Sequence, residues 1–471
     1  MTTSHLPADR TRTRTDEALA ALGDALGGRL VLPSDPGWDQ ARAGWNLSID
    51  QQPSAVVEAT GVADVQATVR AARAAGLRVA PQATGHGSEA LSSLDGAILL
   101  KTAGLTGVSV DPAAFSARLG AGVLAADVAD AAAPHGLAPV LGLAPPVGGP
   151  GLSLGGGTGW RRRAHGLAAN NVLAFEVVLP SGEARRVDAG TEPDLFWALR
   201  GGGGRFGIVT AIEVGLHAIP EVSGGMLAWP AEQARDVLEQ FRRWTRDAPE
   251  SLGAVFRYLS LPPIDAIPEP LRGRRIVSVA AVHAGSARDG ARLLEPLRGA
   301  AATLLDTFGP IGLADLPRVA GDPEQPMPSA GEGVLIGDLT VGAAATLGEL
   351  IATDAVAPLT VLEVRLLGGA LSRRPRGHGA LAALDGGYSV FAGGAAPDRD
   401  AGLAVDAALR GLRRRLVPWI APQALLTSSR TGTDAAAGFD GETWQRLEAI
   451  RDAYDPDRII QGSLDAPAAL R

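Results

Sequence analysis

The sequence predicts an α+β fold in two successive units, closed by a short C-terminal return. Three observations predict it. The chain has 471 residues, more than one compact core accommodates. It opens β-α-β and then runs through several strand-like segments before its next helix. After Pro220 the texture changes to longer helices alternating with strands.

The elements follow in order. Residues 1–14 are polar and irregular, the start of an N-terminal tail and helix over 1–43. AVVEA (55–59) reads as a strand, 62–75 as an amphipathic helix and 77–81 as a returning strand. AILLK (97–101), VSVD (108–111) and ARLGAG (117–122) are strand-like, and 125–135 is an Ala-rich helix. A glycine-rich loop over 148–159 precedes a hairpin over 172–188, with Ser181-Gly182 at its turn. A short helix over 192–200 and a strand over 207–216 complete a first unit, 44–221. The second unit, 222–440, has helices near 231–247, 287–298, 341–353 and 398–416. Its strands lie near 225–229, 254–260, 275–283, 360–367 and 387–393. A last helix over 442–453 opens the C-terminal return, 441–471.

Composition narrows the chemistry. A formal charge of −8 and no outstanding basic block argue against a nucleic-acid binder, and the RRR runs at 161–163 and 413–415 read as solvated surface. No long uninterrupted apolar run appears, so no membrane span is expected. The N-terminal residues lack the apolar core of a signal peptide, so a cytoplasmic location is expected. The absence of cysteine excludes disulfides, thiolate nucleophiles and Cys-ligated metals. Lys101 is the single lysine, which makes a Schiff base improbable.

Short motifs mislead unless their context is weighed. Gly202-x-Gly204-x-x-Gly207 matches a dinucleotide fingerprint, but a helix precedes it and a strand follows, the reverse of what that fingerprint requires. Gly151-x-Ser153-x-Gly155 matches a hydrolase elbow, but prolines and glycines on both sides place Ser153 in a loop; a serine esterase is kept as a rival. His165 and His378 lack partners at metal-ligand spacing, so no metal site is expected. The glycine-dense ATGHG (83–87) and GGPGLSLGGGTGW (148–160) suit close backbone approach to a ligand, with N–H groups turned to phosphates.

In order along the chain, PQATGHGSE, APPVGGPGLSLGGGTGWRRRAHGLAANNV, EPDLFWALRGGGGRFGIVTAIEV and AYDPDRII resemble the berberine-bridge-enzyme-like branch of FAD-linked oxidases. These belong to the vanillyl-alcohol oxidase / p-cresol methylhydroxylase (PCMH) superfamily. The resemblance runs from about Gly44 to the C-terminus. It implies a PCMH-type FAD-binding domain of two α+β subdomains and a substrate domain whose large antiparallel sheet covers the flavin.

The resemblance also implies roles. His86 would form an 8α-histidyl bond to FAD. Ala83, Thr84, Gly85, Gly87 and Ser88 would cradle the pyrophosphate. Val147, Gly148, Gly151, Gly155 and Gly157 would line the isoalloxazine and ribityl chain, and Asn171, Val172, Gly207 and Ile208 the adenosine side. Ala144 stands where many relatives carry a second, cysteinyl tether, so a single covalent link is expected. Gly142 matches a position where small residues leave room for dioxygen. The family's Tyr-x-Asn segment is replaced by Leu425, Thr427 and Ser428, and Ile460, Gln461 and Gly462 stand where an asparagine usually follows YDPxxxF. The usual phenolate base therefore does not carry over. Tyr258, Tyr388, His283, Glu363, Arg365 and His378 are the remaining candidates for proton transfer, all in the second unit; Tyr454, in the YDP motif, reads as structural. The expected activity is oxidation of an alcohol, sugar or secondary metabolite with dioxygen as acceptor. Oxidative bond formation or flavin binding with little turnover are the alternatives.

Overall fold

The computed structural model describes residues 6–91, 94–428, 430 and 432–465. Three sheets organise the chain. The first is four-stranded, in the order β1 (Arg29–Val31), β2 (Ala55–Glu58), β4 (Ala97–Lys101), β3 (Arg78–Gln82). Its β2–β4 and β3–β4 pairings are parallel, which requires a crossover, and helix Val62–Ala75 supplies it. That helix ends where Gly76 adopts a left-handed conformation and caps the last carbonyls. Its Val65, Val69 and Ala72 share a core with Val79, Ile98, Val178 and Ile208, so one helix joins this sheet to the next.

The second sheet is antiparallel: β5 (Val108–Asp111), β6 (Ser116–Gly120), β10 (Ile208–Ala218), β8 (Val172–Val178) and β9 (Ala184–Asp188), with β7 (Leu137–Pro139) also paired to β10. β8 and β9 form the expected hairpin, Gly182 taking a positive φ at its turn.

The third sheet has eight strands. Its main path runs β14 (Leu305–Asp306), β11 (Val222–Pro230), β13 (Arg275–Ala284), β12 (Leu252–Ser260), β17 (Val361–Leu366), β18 (Tyr388–Ala395), β16 (Ser329–Ile336); β15 (Gly309–Pro310) pairs with β11. Helices Ala234–Arg246, Val341–Ala352 and Arg399–Leu416 cover one face, burying Leu252, Phe256, Val277, Leu362 and Val390. The other face meets β7 of the second sheet and the segments around it: Val255, Ala280 and Val282 pack on Trp160, Leu143 and Ala138, and Leu335 packs on Leu167 and Ala169.

Four expectations need correction. Residues 6–14 are not irregular; helix Leu6–Ala25 begins there. The stretch 148–159 is not all loop, because Gly149–Leu154 forms a short helix that contains Ser153. β16 has no strand signal, since Gly331 and Gly333 interrupt its apolar pattern. The RRR run at 161–163 is not solvated: Arg162 and Arg163 are buried.

Candidate functional site

The site begins at the end of β3. Gly85 has φ +81°, and a Cβ there would lie 2.6 Å from the Gly44 Cα and 2.9 Å from the Trp45 nitrogen. Only glycine lets this loop meet the strap around residue 44 so closely. Lys101 fixes the strap from below, its ammonium donating to the Ala43 carbonyl (2.6 Å) and to Gln82 Oε1 (2.5 Å). Desolvation lowers this lysine to about 8.

His86 stands on this loop. Its ring stacks on Trp45 with centroids 4.2 Å apart and 18° between planes, and its Nδ1 lies 2.8 Å from Thr84 Oγ1. The imidazole remains solvent-accessible, yet protein surrounds it closely enough for desolvation to pull its pKa to about 4. It is therefore neutral near pH 7, with a nitrogen lone pair available.

The second glycine loop closes against the first. A Cβ on Gly148 would sit 3.7 Å from Ala83 Cβ and 3.8 Å from Thr84 Cγ2. Gly87 and Gly151 face open space, with nothing within 4 Å of an added Cβ. Ser88 Oγ is buried without a hydrogen-bond partner among the described residues. Open glycine backbone beside an orphaned hydroxyl suits a phosphate-bearing ligand. Gly142 is packed tightly, a Cβ there lying 3.1 Å from Leu152 Cδ2. Gly155 abuts Thr427, and Gly157 abuts Leu152 and Ala168. Ala144 and Val147 are half-buried at the turn between them.

Other expected cofactor positions spend their side chains on the protein itself. The Asn171 amide donates to the carbonyls of His165 and Leu167, and its Oδ1 lies 2.9 Å from His217 Nε2. Val172 and Ile208 are core residues, and a Cβ on Gly207 would meet Val177 Cγ1 at 2.5 Å. Only their backbone is free to touch a ligand. Ser153 is fully buried, and its hydroxyl donates to the Gly149 carbonyl at 2.9 Å. A hydroxyl so placed cannot reach an ester, which removes the observation behind the esterase rival.

The catalytic candidates divide by strand alternation. Tyr258 and Tyr388 point into the helix-covered core; Tyr258 accepts from Arg275 at 3.1 Å, and the Tyr388 hydroxyl pairs with Thr245 at 2.7 Å. His283 also faces that layer, 3.3 Å from Ser251 Oγ. These three are corrected: they stand behind the sheet, away from the glycine loops. His378 sits apart in a loop, its Nδ1 against the Gly379 carbonyl.

Glu363 and Arg365 face the other way. Glu363 is buried between Arg257, at 2.5 Å, and Arg365, whose Nε donates at 2.7 Å. Arg257 also meets Asp322 at 2.7 Å and the Ala320 carbonyl. Burial opposes ionisation of Glu363, but the two guanidinium groups outweigh it and hold the carboxyl below its ordinary pKa. Arg162 lies alongside, donating to the carbonyls of Leu366, Gly159 and Ala254. Sequence reasoning missed Trp45, Arg257 and Arg162; only Arg257 leaves a signal, a lone charge inside the apolar strand VFRYL. Among the described residues no cluster suits a metal ion, and no helix is long and apolar enough to cross a membrane.

Comparison with known proteins follows this geometry. Residues 53–188 match the FAD binding domain family. The chain is 34% identical over 206 residues to (R)-6-hydroxynicotine oxidase of Paenarthrobacter nicotinovorans, covering 44% of this chain and 45% of that protein. It is 34% identical over 194 residues to glucooligosaccharide oxidase of Sarocladium strictum, covering 40% and 38%. The chain thus spans less than half the length of these two curated relatives. The solved structure of wild-type BBE-like 1 from Physcomitrella patens superposes with a TM-score of 0.83 at 20% identity, over 97% of this chain and 100% of that one.

Proposed function

Because residues 53–188 match an FAD binding domain and the whole chain has the fold of the berberine-bridge-enzyme-like proteins, we propose that it is an FAD-dependent oxidoreductase. It holds FAD through one covalent bond to His86 and oxidises a small alcohol, sugar or secondary metabolite, with dioxygen as the final acceptor. The unit to about residue 221 binds the cofactor, the following unit to about 440 binds substrate, and the C-terminal segment returns to the first. The observation that carries the reading is His86, neutral and stacked on Trp45, at the rim of two glycine loops whose Gly87 and Gly151 leave backbone open.

When bound, FAD supplies a two-electron acceptor that the protein's own side chains lack. Gly85 and Gly87 would receive phosphate oxygens through backbone N–H groups and Ser88 through its free hydroxyl, its own amide being spent on the Gly85 carbonyl. His86 presents a lone pair at neutral pH, and Ala144 offers no second tether. On the opposite wall, ionised Glu363 accepts a hydrogen bond from a substrate hydroxyl and takes its proton as the substrate is oxidised. Because two arginines keep its pKa low, it serves better as an orienting acceptor than as a strong base. That weakness, with both tyrosines turned away, favours as a second reading an oxidative bond-forming reaction that depends on substrate placement.

Acid precipitation of purified wild type and His86→Ala tests the proposal. Yellow colour should remain in the wild-type pellet and leave that of the variant, and substrates are then found by peroxide release. A wild-type protein that takes up no flavin after incubation with FAD overturns it.

A further inference from the structure

The sheet face opposite the glycine loops carries more positive charge than it neutralises. Arg162, Arg257 and Arg365 supply three guanidinium groups there, while Glu363 and Asp322 supply two carboxylates, leaving one positive charge. Arg162 is fully buried and donates to backbone carbonyls alone; no carboxylate touches it, and the nearby Glu363 is already shared by Arg257 and Arg365. A charge left uncompensated in a poorly solvated site is costly unless a ligand answers it.

The polar atoms on this face are also incompletely used. Arg257 is almost completely buried, yet its Nε has no hydrogen-bond partner among the described residues; nor has the buried hydroxyl of Ser278, which pairs with Arg257 across β12 and β13. Arg365 gives its Nε and one terminal nitrogen to Glu363. Its side chain is 25% exposed, and its Nη1 makes no hydrogen bond among the described residues. Of the three guanidinium groups, Arg365 is the one that is partly exposed. On the same face stands Phe391, half-buried and in register with Glu363, its ring leaning over Gly331, where a Cβ would come within 2.8 Å of Cζ. A cation with a spare planar donor, on a face that also carries an aromatic ring, suits an aromatic or otherwise flat carboxylate.

We propose that the substrate carries a carboxylate, and that Arg365 binds it through Nη1 while Phe391 packs on the adjoining apolar part. Arg257 and Ser278 complete the anion site from within the sheet, and Arg162 supplies the unbalanced charge. The proposal deepens the flavoenzyme reading, on which it rests for the oxidation that follows, but the anion site is a property of this face alone. It narrows the substrates to organic acids that also bear the oxidisable group.

Calorimetric titration of the flavin-loaded protein with benzoate and with benzamide, which differ in charge but little in shape, tests it. Benzoate should bind about tenfold tighter or more, as a charge-assisted hydrogen bond gives, and Arg365→Gln should abolish the difference. Equal binding of the two probes, or no benzoate binding to wild type, overturns the proposal without need of any variant. If Arg365→Gln keeps the benzoate preference but lowers the flavin's reduction potential, the charge serves the cofactor and the proposal also fails. Visible flavin absorbance of the same sample reports separately whether the flavoenzyme reading stands.

Discussion

Trp45 lies nearly flat on the imidazole of His86, with ring centroids 4.2 Å apart. The stack fixes the plane of the ring while Thr84 holds its Nδ1 edge. It also helps to exclude the water that would otherwise stabilise the imidazolium. Trp45→Ala should therefore raise the His86 pKa from about 4 toward its ordinary 6.5. It should also reduce the acid-stable flavin by about tenfold, the loss expected when a reacting group is no longer held in place. NMR titration of the imidazole and the colour of acid pellets read the two effects.

Glycines of the cradle should separate into two kinds. Gly85→Ala forces a Cβ to within 2.6 Å of the Gly44 Cα at a positive φ, and should lower stability by about 2 kcal/mol. Gly151→Ala meets open space within a helix, and should leave the apo-protein as stable or about 1 kcal/mol more so. Flavin occupancy should nevertheless fall in Gly151→Ala, because the added methyl projects where the cofactor would approach. Thermal melts of apo-protein and flavin absorbance after reconstitution distinguish the two.

Tyr258→Phe and Tyr388→Phe should leave turnover unchanged. Both hydroxyls are spent behind the sheet, on Arg275 and Thr245, and losing them should cost about 1 kcal/mol of stability each. A large fall in kcat with normal stability would return the phenols to the mechanism.

Glu363→Gln removes the carboxylate that two arginines share. Stability should fall by about 3 kcal/mol, measured by urea unfolding, because Arg257 keeps only Asp322 in a buried setting. Turnover should fall by about two orders of magnitude if the carboxylate takes the substrate proton.

Acid should destabilise the fold through a second pair of rings. His165 and His217 stack at 3.7 Å, and desolvation followed by the charge of Arg161 lowers them to about 3 and about 4. Their folded pKa values lie below the ordinary 6.5, so between those limits the unfolded chain binds more protons. Their stabilising effect is complete above about pH 6.5 and is lost as pH falls toward 4 and then 3. The Tm should be about 2 °C or more lower at pH 5 than at pH 7, and a His165→Gln, His217→Gln double variant should flatten that limb.

The two glycine-dense loops were legible in the sequence because glycine has few other reasons to cluster, and the hairpin at Ser181-Gly182 because turn chemistry is local. What the sequence hides is direction. In LGAVFRYLS both alternating faces are apolar, since helices cover one and residues of the first unit the other, so periodicity does not say where Tyr258 or Arg257 points. Arg162 is hidden for a different reason. Its partners are backbone carbonyls of Leu366, Gly159 and Ala254, which carry no residue-type signal. Residues 6–14 were unreadable as helix because their polarity offers no apolar stripe.

One edge of the first sheet is β3, the strand that leads into the His86 loop, and Ile460 pairs with its Val79. Asp455 holds the amides of Ile459 and Ile460 in place for this, and Gln461 donates to the Leu91 carbonyl. The strand that leads into the His86 loop is therefore completed by a segment that lies beyond the whole eight-stranded sheet in sequence. In folding, that edge of the N-terminal sheet stays open until a segment that follows the eight-stranded sheet in sequence comes to pair with it.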